Sequence, residues 1–245
     1  YDPIEQLIWT EGFSVKLAPP SSEHLLGTDI YGRDILTRVL YGARISLKIC
    51  IAAMGLSVSV GVVLGIMAGY YGGFVDDLIS WLINVLYAFP FLLFIIAVVA
   101  FLPPSLILTF SAISLVYWMP IARVVRGQVF SIKEKEYVLA ARAVGVSDIK
   151  IMFKHILPNV IAPVIVQATL GMGTVIMVEA ALTYLGFGTQ PPTPSWGYMI
   201  SSGQGYLASG EWWWAISPGI AIVLTVLGFN LFGDGLRDAL DPRNN

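Results

Sequence analysis

Few residues in this sequence have the type and spacing that enzyme chemistry needs. Neither of its two histidines, His24 and His155, belongs to a paired metal-ligand spacing such as H-E-x-x-H. The single cysteine, Cys50, can close no disulfide within the chain and build no cysteine-based metal site. No G-x-x-x-x-G-K-[ST] phosphate loop occurs, and no dinucleotide glycine fingerprint lies between a strand and a helix. No Ser/His/Asp set can be assembled, because the two histidines fall on different sides of the membrane inferred below. What stands out instead is polarity inside apolar runs. Glu179 is the one acidic residue well within such a run, where a carboxylate costs about 2.5 to 3.5 kcal/mol at the helix centre and less toward an end. It reads equally as a structural hydrogen-bond acceptor and as a substrate contact. Asn84, Gln167 and Thr174 are the other candidates for a polar path, or for bonds between helices.

The elements that must position these groups are membrane helices. Of 245 residues, 56% are hydrophobic and 12% charged, against roughly a quarter charged in a soluble domain. Five apolar stretches approach the roughly 20 residues that cross a bilayer core: 45–67, 78–100, 106–125, 160–184 and 215–232. Gly61, Gly65 and Gly69 form two overlapping small-xxx-small repeats suited to tight helix packing. Pro90 and Pro120 are expected to bend their helices. The predicted fold class is all-α, a polytopic transmembrane bundle that passes the membrane several times.

Orientation follows from charge placement. Half of the fourteen Lys and Arg residues (Arg123, Arg126, Lys133, Lys135, Arg142, Lys150, Lys154) cluster at the connection between the third and fourth spans, which predicts a cytoplasmic loop. The next connection, 185–213, has no Lys or Arg but carries Trp196, Tyr198, Tyr206 and Trp212 to Trp214, the marks of an outer loop with an aromatic belt. Arg237 and Arg243 return the C-terminus to the cytoplasm. Five spans then put residues 1–44 outside, in conflict with Arg33, Arg38 and Arg44. An interfacial helix over 34–43, with Ile35, Leu36, Val39 and Leu40 on one face, would reconcile them. A sixth, first transmembrane helix is expected upstream of Tyr1.

The informative cytoplasmic stretch is Glu134 to Asn159, EKEYVLAARAVGVSDIKIMFKHILPN. Apolar positions at Tyr137, Ala140, Ala141 and Val144 have helical spacing, and Gly145 is a natural C-terminal cap. Ser147 can cap a second helix running through Ile149, Ile151, Met152 and Phe153 to a stop near Pro158.

This helix-glycine-helix loop resembles the EAA loop of ABC importer permeases. Ala140, Ala141, Gly145, Leu157 and Pro158 match the family pattern, while Leu139 stands where the pattern has Glu and His155 where it has Ile. The resemblance extends over nearly the whole chain to the C-type permease subunit of dipeptide, oligopeptide and nickel importers. It is carried by LGTDIYGRDILTRVLYGARISL (Leu26 to Leu47), AGYYGG (Ala68 to Gly73), ARVVRGQV (Ala122 to Val129), HILPN (His155 to Asn159), LGFGTQPPTPSWG (Leu185 to Gly197) and FGDGLRDALDPR (Phe232 to Arg243).

The resemblance implies a bundle of the type I ABC importer kind, with a permease domain over 45–245 and a coupling loop over 126–159. Glu136, Tyr137, Ala140, Ala141, Gly145, Leu157 and Pro158 would meet an ATPase. The implied partners are a second, homologous permease, two cytoplasmic ATP-binding-cassette ATPases, an external substrate-binding protein and the lipid bilayer, with no nucleic acid. ATP and Mg would be bound by the ATPases and no cofactor or metal by this chain. Short peptides rank first as the solute, with a nickel chelate as a related one. The rival reading, a secondary transporter with Glu179 as ion or proton site, predicts inverted repeats; none is visible in the sequence.

Overall fold

The computed structural model describes residues 1–9 and 12–240; Asp241, Pro242 and Arg243 of the C-terminal motif lie outside them. Among the described residues there is no strand. Four stretches are long and apolar enough to cross a membrane: α1 (Ile35–Tyr71), α4 (Leu106–Ile132), Asp148–Tyr184 and α9 (Trp213–Leu240). A bent pair, α2 (Gly73–Tyr87) and α3 (Phe91–Val99), makes a fifth if counted as one span. The shorter helices are α5 (Glu136–Ala143), α6 (Asp148–Ile151), which continues through a π-helical turn Met152–Ile156 into α7 (Leu157–Tyr184), and α8 (Trp196–Gly203).

The chain divides into two compact units. The first comprises Tyr1–Ala52, Ile96–Ile113 and Gly173–Gly228. Its N-terminal segment is organised by buried charge. Asp29 is fully buried and accepts from the backbone N–H groups of Tyr31 (2.8 Å) and Arg33 (3.0 Å) and from Arg33 Nε (2.7 Å). Arg38 Nη1 donates to the Pro3 carbonyl at 2.6 Å, and its Nε lies 3.8 Å from Asp29. Asp34 begins α1 as an N-cap, accepting from the Thr37 N–H at 2.8 Å. Ile35 and Val39 then pack with Met199, Trp213 and Trp214.

That packing corrects one expectation. Residues 34–43 are not a separate interfacial helix but the start of a single 37-residue helix. Ile35 and Val39 of its apolar face are buried with the chain's own Trp213 and Trp214, while Leu36 is half-buried and Leu40 exposed. The arginines that conflicted with an outside N-terminus are engaged locally: Arg33 and Arg38 with Asp29, Arg44 over the Tyr41 ring at 4.8 Å.

The second unit comprises Ala53–Ile95, Ser114–Met172 and Phe229–Asn245. Its spine is the seam between α1 and α4. A Cβ on Gly61 would stand 2.7 Å from the Trp118 carbonyl, on Gly65 2.6 Å from the Ala122 carbonyl, and on Gly69 2.6 Å from Val129. Backbone therefore meets backbone along two turns, the close approach that small residues permit where van der Waals packing drives helix association. One turn earlier Ser114 Oγ donates to the Ala53 carbonyl at 3.0 Å.

Two proline expectations part ways. The span expected over 78–100 is broken, its halves meeting at 86° around Pro90. Proline has no N–H and pushes the residue before it out of the helical region. Pro120, by contrast, lies within an unbroken helix, as do Pro163 and Pro218.

The seam gives a test. Gly65→Leu must displace Ala122 and Val125, and overpacking of this kind costs roughly 1–3 kcal/mol. Gly55 of the same helix has nothing within 4 Å of its Cβ position. The thermal midpoint in detergent should drop for Gly65→Leu and stay at the parental value for Gly55→Leu; equal midpoints would dismiss the seam as a packing constraint.

Candidate functional site

The loop between α4 and α7 folds as a helix, a glycine corner and a second helix, from causes local to its sequence. Lys135, in extended conformation, precedes α5. Gly145 closes it with φ of 78°. The Gly145 N–H donates to the Arg142 carbonyl (3.0 Å) and the Val146 N–H to the Ala141 carbonyl (3.1 Å), which is a Schellman motif. Ser147 stands at the N-cap of α6 but makes no side-chain cap bond. Asp148, the next residue, instead accepts from the Tyr70 hydroxyl at 2.6 Å.

The second helix does not stop near Pro158. It runs on into the span, because the π turn Met152–Ile156 absorbs the proline. A wider turn relieves the clash between the proline ring and the carbonyl four residues earlier. Asn159 Nδ2 donates to the His155 carbonyl at 2.7 Å, satisfying an acceptor in the distorted turn. Leu157 is half-buried and Pro158 exposed.

Ala140 and Ala141 do not share a face. Ala140 is exposed, whereas Ala141 and Val138, three residues apart, turn into the chain's own interior. Small size at Ala141 serves internal packing. The outward surface is formed by Glu136 and by apolar side chains with large exposure: Tyr137 46%, Leu139 43%, Val144 79% and Ile149 66%. Exposed apolar groups on a charged loop mark a contact surface.

This corner is tied to the end of α1. Besides the Tyr70 to Asp148 bond, the Arg142 guanidinium lies 5.2 Å from the Tyr70 ring centroid. The Arg142 pKa is raised above the ordinary value, first by hydrogen bonding to the Tyr70 hydroxyl. Lys133 Nζ donates to the Gly69 carbonyl at 2.9 Å, a cation on the C-terminal carbonyls of a helix. Arg126 pairs with Asp76 through both guanidinium nitrogens, Nη2 at 2.6 Å from Oδ2. No spacing rule links residues 50 or 78 positions apart, so sequence reasoning missed the Asp76 and Tyr70 partnerships.

The four polar path candidates separate. Glu179 is fully buried, its Oε2 accepting from Ser46 Oγ (2.8 Å) and its Oε1 from Thr183 Oγ1 (3.0 Å). It is enclosed between α1 and α7, with both carboxylate oxygens taken by hydroxyls. Helical geometry gives the reason. Gln167 and Thr174, seven residues apart, share a face of α7, and Glu179 is turned about 140° from Thr174 at 3.6 residues per turn. Gln167 is half-buried and Thr174 exposed. Asn84 is exposed and accepts from Arg123 Nη2 at 2.8 Å. Among the described residues no group of three or more His, Cys, Asp or Glu side chains could hold a metal ion.

Comparison with known proteins matches this geometry. Residues 61–245 fit the family model described as binding-protein-dependent transport system inner membrane component. The dipeptide transport system permease protein of Alkalihalophilus pseudofirmus is 49% identical over 230 residues, 94% of this chain and 75% of the relative. The di/tripeptide transport system permease protein of Pseudomonas aeruginosa is 43% identical over 250 residues, 99% of this chain and 80% of the relative. Among solved structures, an inward-facing form of the MetNI methionine ABC transporter aligns with a TM-score of 0.68 at 17% identity, over 84% of this chain and 98% of that one. That likeness speaks for the fold, an all-α bundle of the type I ABC importer kind.

A β-branched residue at Gly145 meets no neighbour, since nothing lies within 4 Å of its Cβ position. The penalty is thus purely one of backbone, roughly 1–2 kcal/mol for left-handed geometry. Hydrogen exchange over residues 136–151 in detergent should quicken in Gly145→Val and change little in Gly145→Asn, because Asn tolerates that conformation. Equal exchange in the two variants would remove the glycine corner as the organiser of the loop.

Proposed function

The chain belongs to the family of binding-protein-dependent transport system inner membrane components, and from that premise we propose that the solute it carries is a short peptide. The protein is a multi-pass permease subunit of an ABC importer, not the enzyme of the system. The near-full-length match to dipeptide and di/tripeptide permeases carries the peptide reading. In this proposal two ATPases bind ATP and Mg and hydrolyse the nucleotide, a second permease completes the path, and an external binding protein delivers the peptide.

The docking surface for one ATPase is the loop 126–159, presented through Tyr137, Val144 and Ile149. Their exposure supports this: an apolar surface in a loop rich in Lys and Arg is explained by a partner. The expected Ala141 contact is replaced by Ala140 and Val144. The loop faces the cytoplasm and the connection 185–212 faces outside. The Lys and Arg residues of the loop, against none in 185–212, support that assignment. A secondary transporter driven through Glu179 is not favoured, since an enclosed carboxylate held by two hydroxyls lacks access for an ion.

Two measurements test this. The subunit, assembled with its partner permease, both ATPases and a binding protein in vesicles, should take up labelled dipeptide only with ATP. Val144→Asp with Ile149→Asp should release the ATPases and abolish uptake while leaving the permease pair intact, because an unpaired charge in a buried contact is costly. Full uptake in that variant would refute the docking surface. Cysteine at exposed Ser209 should react with an impermeant thiol reagent on spheroplasts and cysteine at Ser147 should not; the opposite pattern would invert the topology.

A further inference from the structure

Within the second unit a half-open cavity of about 540 Å³ lies among the ends of three helices. It falls within the roughly 300–1,000 Å³ of small-molecule pockets. Its wall carries Gln128 of α4, Asn159, Pro163 and Gln167 of α7, and Arg237 of α9. We propose that this cavity is a binding subsite on the cytoplasmic part of the path, holding the carboxylate and ammonium ends of a short zwitterionic peptide before its release. The inference rests on the peptide reading above and adds the residues that would hold the solute.

Three observations carry it. First, the same unit contains a second cavity, about 370 Å³, lined by Val58, Val62, Val63, Ile161, Val164 and their neighbours, a surface suited to acyl chains. An arginine and three amides are not suited to lipid, where each charged group costs several kcal/mol. The polar cavity therefore requires water and solute, or a polar partner.

Second, Arg237 is exposed in the cavity and forms no ion pair among the described residues. A guanidinium in that state is a bidentate receptor for a carboxylate. Third, Pro163 has no N–H to give, so the carbonyl of Asn159, four residues earlier, lacks its usual helical donor. Asn159 also spends its side-chain Nδ2 on the His155 carbonyl, leaving the amide oxygen as a further acceptor. Acceptors on α7 thus face a donor on α9, with Gln128 and Gln167 able to serve either end. A carbonyl that a proline leaves without its helical donor must find another partner, which a neighbouring side chain, water or a solute can supply. One cation alone makes the site weak, as a site on a path has to be if its occupant is to leave.

The test uses the assembled importer in vesicles, with labelled dipeptide as the probe, and reads uptake, ATP hydrolysis and subunit composition together. Arg237→Gln should lower peptide taken up per ATP hydrolysed roughly tenfold, the loss expected for a charge-assisted hydrogen bond. ATP hydrolysis stimulated by the binding protein and the subunit ratio should remain at the parental level. Arg237→Lys, which keeps the charge, should recover most of the uptake. Unchanged uptake per ATP in Arg237→Gln, beside an active parent, overturns the subsite alone. A fall in subunit ratio or in hydrolysis that lysine does not rescue assigns the cavity to a partner chain and likewise overturns it. A parental complex that hydrolyses ATP but takes up no peptide overturns the peptide reading itself, and this proposal with it.

Discussion

The second unit depends on the approach of α1 to α4 at backbone distance. In lipid no hydrophobic force presses helices together, so the contact must come from surfaces that fit. Gly61, Gly65 and Gly69 give α1 a groove of bare backbone, and Ile121, Val125 and Val129 of α4 fill it. Because the fit repeats every four residues, it fixes distance and rotation, and register to within a turn. Register then decides which polar groups meet at the end of the seam. Lys133, one turn beyond Val129, reaches the Gly69 carbonyl, and Tyr70, one residue beyond Gly69, reaches Asp148 in the loop. A helix sliding by one turn would keep two of the three glycine contacts but lose these bonds, which single out one register.

The charges follow the same economy of partners. Arg126 is held by Asp76, Arg123 by Asn84 and the Tyr87 ring, Arg33 and Arg38 by Asp29, and His24 Nδ1 lies 3.0 Å from Asp34. The buried members of this set, Arg33 and Arg38 with Asp29 and His24 with Asp34, contribute little net stability against apolar packing, but losing one partner is expensive. They therefore act chiefly as constraints on arrangement. Arg237 differs from the arginines of that set in having no ion-pair partner among the described residues, which is why its cavity reads as a place for something that comes and goes.

The parts of this structure legible in the sequence were those set by local chemistry. Apolar run length located the spans, the four-residue glycine repeat located the seam, and Gly145 in its helical context located the corner with its left-handed φ. What was not legible depended on tertiary surroundings. Whether Pro158 ends a helix or passes into a π turn depends on the span beyond it. Whether 34–43 lies on a membrane or under Trp213 and Trp214 depends on residues more than 170 positions away. The sequence leaves Glu179 open between a structural acceptor and a substrate contact, because an intramembrane carboxylate fits either. Ser46 and Thr183 supply the hydroxyls that make it structural, and only Thr183, one turn on, was within reach of a sequence pattern.

The unbroken run from Asp148 to Tyr184 changes what the loop can do. Had the second helix stopped at Pro158, a push on the corner would bend a flexible joint and reach the span weakened. A continuous helix transmits displacement along its axis, and its hydrogen-bond ladder is altered near its start, at the π turn Met152–Ile156 and at the prolines Pro158 and Pro163. Under the proposed reading, an ATPase pressing on Val144 and Ile149 moves α7 as a lever. Tyr70 carries part of the same displacement into α1 through Asp148. Gln167, a candidate for the polar path, rides on that lever, so under the same reading motion at the docking surface reaches it directly. Coupling then needs no separate relay, only the stiffness of one helix and the register of another.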